Sequence, residues 1–169
     1  MRLAYITCLV AGCGVTDFDI TQPVPEQIVA GSPLPGPLGA LFPIPISLDI
    51  AAQIKAMDTG PIDAVTLSSL ELSITTTDEP TGDSDDWSFI SEIDVFVSST
   101  KQGTTLPKVQ IAHISQPGAV QKLSFDVDSS VNLKPYVDEG SRVDGESMGN
   151  APPDDVSYDG SGTFTVHPL

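Results

Sequence analysis

From Ser47 onward, apolar and polar positions alternate with a period of two, as expected of a half-buried strand. Leu48, Ile50, Ala52 and Ile54 alternate with Asp49, Ala51 and Gln53. A helix also fits this stretch, with Ile50, Ile54 and Met57 on one face and Gly60 as its stop; the strand is the preferred reading. Asp58-Thr59-Gly60-Pro61 is a turn cluster. A long strand follows over Ala64–Thr76, carrying Val65 and Leu67 and then Leu70, Leu72 and Ile74. The parity changes at Ser68-Ser69, the signature of a β-bulge. Trp87 to Ile90 reads as a short helical turn, and Ile93, Val95 and Val97 mark the next strand. Further strands carry Val109, Ile111 and His113, then Leu123, Phe125 and Val127. A helical turn near Tyr136 precedes a weak strand over Ser141–Met148. In the last strand Val156, Tyr158, Gly160, Gly162, Phe164 and Val166 share a face.

About seven strands at regular spacing, joined by turn residues, predict an all-β protein: an antiparallel β-sandwich. Immunoglobulin-like topology is the default for seven strands. No alternation of strand and helix points to a parallel sheet.

The segment before Ser47 has a different character. Seven prolines fall within residues 14–47: Pro23, Pro25, Pro33, Pro35, Pro37, Pro43 and Pro45. Proline lacks an N–H and fixes φ, which excludes regular helix and central strand. Residues 13–46 are therefore read as a tether and 47–169 as the sandwich domain. Leu34, Leu38, Leu41, Phe42, Ile44 and Ile46 are too apolar for a fully solvated linker, so the half near Leu38–Ile46 is expected to dock. As polyproline II at about 3.1 Å per residue, the whole tether would reach roughly 100 Å.

The first thirteen residues carry an address. Arg2 supplies a positive charge, and Leu3–Gly12 is an apolar run of ten residues. As a helix it spans about 15 Å, half of a ~30 Å hydrocarbon core. A signal peptide over residues 1–12 is the better reading. Val10-Ala11-Gly12-Cys13 resembles the lipobox of bacterial lipoproteins, with Val10 in place of the usual Leu. The resemblance covers Met1 to Cys13 only. It implies that Cys13 is lipidated and becomes the first mature residue, with the membrane as partner. Gly14 after the cysteine favours the outer membrane of the cell envelope. Beyond Cys13 the chain is like uncharacterised Gram-negative envelope lipoproteins in composition alone. Cys8 would leave with the signal, so the mature chain would hold no free thiol.

Composition narrows the function. Ile, Leu, Val and Phe make up about 28% of the chain, enough for a core. Seven basic residues against 23 acidic ones give a net charge of −16; loss of Arg2 with the signal makes it −17. Nucleic-acid binding needs clustered Lys and Arg, and is excluded as the main business. No Gly-x-Ser-x-Gly elbow or phosphate-cradling glycine pattern is present. The chain reads as no enzyme but a structural or interaction module, with an envelope protein or glycan as partner.

One cluster suggests a ligand. Asp78, Glu79, Asp83, Asp85 and Asp86 fall within nine residues. Calcium takes six to eight hard oxygens, and Asp83, Asp85 and Asp86 are the candidate ligands. A calcium-dependent binding domain is the alternative function; no other cofactor is implied. Asp154, Asp155 and Asp159 form a second cluster that the topology would bring opposite the first. Trp87, next to the acidic loop, is read as a plug for one end of the sandwich. His113, in phase with Val109 and Ile111, is read as a structural histidine pointing inward or to an edge. His167, near the end, is read as frayed. Two histidines without a mature cysteine argue against a zinc site.

Overall fold

In the computed structural model, residues 16–169 are described apart from 33, 35, 39–40, 49, 59 and 78–84. The signal peptide and lipobox, Met1–Cys13, lie outside the described residues, as do Asp78, Glu79 and Asp83.

The chain forms strands β1 (Phe18–Val29), β2 (Leu41–Phe42), β3 (Ile62–Thr75), β4 (Ile90–Ser99), β5 (Val109–Ser115), β6 (Lys122–Ser124), β7 (Asp126–Val127), β8 (Ser141–Gly149) and β9 (Val156–Pro168). Among the described residues, two short helices, α1 (Ala51–Ala56) and α2 (Lys134–Glu139), and a 3-10 turn at Trp87–Phe89 lie between them. One sheet has the order β1-β9-β3-β6 and the other β2-β8-β4-β5-β7. All strand pairs are antiparallel. The all-β sandwich expected from the periodicity is therefore present.

The immunoglobulin-like default gives way to a different strand order. In that topology the first two strands neighbour each other in one sheet. Here β1 pairs with the last strand, β9, and β2 lies in the opposite sheet. Successive strands cross repeatedly between the sheets, the order of a jelly roll built from two Greek keys. The predicted strand through Leu123, Phe125 and Val127 is divided at Phe125. Its first half, β6, pairs with β3 and its second, β7, with β5. Phe125 N–H donates to Leu70 O at 3.0 Å, joining the two sheets along that side.

The tether reading is also corrected. Phe18–Val29 is a strand along β9, with Ile20, Val24 and Val29 in the core. Pro23 and Pro25 are tolerated because β1 is the outermost strand, where a missing N–H breaks no ladder on the open side. The register shifts between Val24 and Gln27, next to Pro25. Beyond β1, Phe42, Ile44, Ile46 and Leu48 are buried in alternation with exposed Pro43, Pro45 and Ser47. The sandwich thus begins at Phe18, well before Ser47. The strand preferred over residues 48–54 is replaced by its alternative, helix α1. Ile50 is fully buried and Ile54 packs against the core from it.

The long third strand has its bulge where the parity change places it, between Leu67 and Ser69. The bulge returns Leu70 and Leu72 to the core after Val65 and Leu67. At one end of the sandwich an aromatic cluster closes the core. Phe42 stacks on Tyr158 with ring centroids 5.0 Å apart, and Trp87 meets Tyr158 edge-on at 5.4 Å. Trp87 is fully buried, and its Nε1 donates to Gln121 O at 3.3 Å. It plugs the sandwich, as read from the sequence.

Candidate functional site on the outer face of the five-stranded sheet

Strand β4 turns Ile93, Val95 and Val97 into the core, which sends Glu92, Asp94 and Phe96 to the outer face. Its neighbour β5 does not alternate regularly. Val95 pairs with Ala112 and Phe96 with Gln110, so Ile111 is an extra residue, a bulge. Ile111 and Ala112 are both buried. The phase therefore flips between them, and His113 emerges on the outer face opposite Asp94. His113, expected from its phase with Val109 and Ile111 to point inward or to an edge, is turned to the outer face by this one inserted residue.

The flip assembles a row across the sheet. Asp94 pairs with Glu146 on β8 and with His113 on β5, and His113 pairs with Asp126 on β7. His113 Nδ1 lies 2.7 Å from Asp94 Oδ1 and 3.8 Å from Glu92 Oε1. Gln110 Nε2 donates to the same Asp94 oxygen at 2.6 Å, which fixes the carboxylate in place. Glu92, Asp94 and His113 are each partly exposed and offer ligand atoms within 4.8 Å of one another.

These residues line an open depression of about 630 Å³, together with Gln110, Ala112, Asp126, Val127 and Asp128. Among the described residues, the lining holds four carboxylates and no Lys or Arg. Lys108 is bound to Glu146 and sits over the Phe96 ring, so its charge is matched on the β8 side. Asp128 accepts from the hydroxyl and the backbone N–H of Ser130, which hold its carboxyl below the ordinary range.

The acidic loop is organised differently. Asp86 accepts from Ser88 N–H at 2.9 Å and caps the 3-10 turn. Hydrogen bonding to Ser88 lowers its pKa. Asp85 is partly exposed, and Asp83 lies outside the described residues. The second cluster stands at the same end, since β9 begins where β3 ends. There Asp155 Oδ1 accepts from Gly31 N–H at 2.7 Å and pins the connection after β1. A Cβ on Gly31 would come within 2.1 Å of the Asp154 backbone, so only glycine permits this approach. His167, read as frayed, instead lies in β9, with Nδ1 2.9 Å from Asp17 Oδ2 and Nε2 3.2 Å from Thr66 Oγ1.

The group around His113 escaped the sequence reading because its members come from different strands. Glu92 and Asp94 were legible as outward-facing. The signal for His113 was the adjacent apolar pair Ile111-Ala112, which a regular strand cannot bury on both sides of an exposed sheet.

No family model matches the chain, and no curated protein matches it. Among solved structures, it is similar to a chain of turnip yellow mosaic virus at 18% identity and a TM-score of 0.28, covering 100% of this chain and 91% of that one. A chain of Desmodium yellow mottle tymovirus has 12% identity and a TM-score of 0.24, with coverage of 100% and 92%. The jelly-roll order rests on the strand pairing.

Proposed function

We propose that the chain is a lipid-anchored, non-enzymatic β-sandwich that serves as a structural or interaction module of the cell envelope. The observation that carries this reading is Val10-Ala11-Gly12-Cys13, standing five residues ahead of the first strand at Phe18. Those five residues reach about 17 Å at full extension. A lipidated Cys13 therefore holds the sandwich close to the membrane, in contrast to the roughly 100 Å expected of a long tether.

The membrane-facing end is the one where β1 begins. Phe18 pairs with Val166 there, close to the start of β3. The opposite end, closed by Trp87, and the outer sheet faces are left for an envelope protein or glycan. The net charge of −16, which becomes −17 when Arg2 leaves with the signal, repels the domain from anionic headgroups.

The test is the variant Cys13→Ser. The wild-type protein is expected in the detergent phase of a membrane extract and the variant in the aqueous phase. Both should melt at the same temperature, because Cys13 precedes the first strand. A variant that stays with the membrane would overturn the anchor.

A further inference from the structure

We propose that Glu92, Asp94 and His113 bind a divalent cation of the zinc class, one that accepts mixed nitrogen and oxygen donors. The imidazole sets this group apart from the acidic loops of the molecule. Its Nδ1 and the two carboxylates present their donor atoms within 4.8 Å of one another. Tetrahedral ligands at about 2.0–2.2 Å from zinc stand about 3.3–3.6 Å apart, so the cation takes the place of the Nδ1 proton, widens the 2.7 Å His113–Asp94 hydrogen bond and draws in Glu92 from 3.8 Å. Two carboxylates also match the charge of a divalent ion. Asp126, paired with His113, and Asp128 add negative potential, and among the described residues no Lys or Arg lines the depression.

The donors are also held in place. All three lie on paired strands, and the bulge at Ile111 fixes the direction of His113. Gln110 orients Asp94 through the oxygen it shares with His113, the kind of outer hydrogen bond that aims a metal-ligating carboxylate. Three protein ligands on an open face leave a fourth position for water or for a donor group from a partner. Calcium, which wants six to eight oxygens, fits this set poorly. The site stands on the half of the sheet away from the start of β1, since Glu92 pairs with Ser115 at the end of β5. A cation there would serve as a bridge to a ligand.

The test uses the full chain in detergent, titrated with zinc chloride by calorimetry and with cobalt chloride by visible absorption. One saturable site is expected, with a rise in melting temperature of several degrees at about a hundredfold excess over Kd. His113→Ala and Asp94→Asn should each weaken binding by about tenfold or more and abolish the cobalt band. Both positions are partly exposed, so the metal-free melting temperature should hold. His167→Ala should leave binding intact. Absence of saturable zinc binding would overturn the proposal. So would binding that survives both His113→Ala and Asp94→Asn, or that is lost in His167→Ala instead.

Discussion

Glu139 shows how one side chain holds a connection in place. Its carboxylate, at the end of α2, accepts from Thr104 Oγ1 at 2.7 Å, Ser99 Oγ at 3.0 Å and Lys101 Nζ at 3.2 Å. Ser99 ends β4, and Thr104 and Lys101 belong to the connection to β5. The hydrogen bond from Thr104, with those from Ser99 and Lys101, lowers the Glu139 pKa below 4.5. A carboxyl whose folded pKa is depressed stabilises the fold above its unfolded pKa, and the contribution fades as pH falls through the folded value. Glu139→Gln should therefore be less stable than wild type at pH 7. The difference should shrink below about pH 4.5 and vanish in stronger acid, as read from urea midpoints. An undiminished difference at low pH would mean that shape, not charge, is the cause. At this scale the sequence was informative where a residue's surroundings are local. Trp87 and its helical turn were legible because both depend on neighbouring residues. His113 was not, because its direction depends on a register shift against another strand.

The elements divide by how far their stability depends on partners. The β3 bulge could be read from the parity change because each side of it meets the same core. Strand β1 could not, since prolines argue against any strand unless it lies at an edge, and edge position is decided by the rest of the sheet. Helix α1 lost to a strand reading because six residues fit both periods, and Ile50 decides it by burial. The placement of β1 has a direct consequence. A chain beginning at Ser47 loses Ile20, Val24, Val29, Phe42, Ile44 and Ile46 from the core. Each buried aliphatic or aromatic side chain contributes about 1.5–3 kcal/mol, so the loss is on the order of 10 kcal/mol, comparable to the whole stability of a domain. That truncation should show no cooperative thermal transition, whereas one beginning at Thr16 should melt cooperatively. A cooperative melt from the Ser47 truncation would contradict the core described above.

At the scale of the molecule, the alternation of residues gave the all-β class but not the strand order. Period-two patterning reports which face of a strand is buried and is silent on which strand lies beside it. The jelly-roll order is set by pairings such as β1 with β9, between opposite ends of the chain. The same closure brings the start of the fold within a few residues of Cys13 and turns the outer sheet face, with His113, toward solvent. The proposed lipidation of Cys13 can be checked by the intact mass of the native protein extracted from membranes in detergent. Loss of residues 1–12, with added mass matching acyl chains on Cys13, is the predicted result. An unmodified full-length chain in the soluble fraction would contradict it.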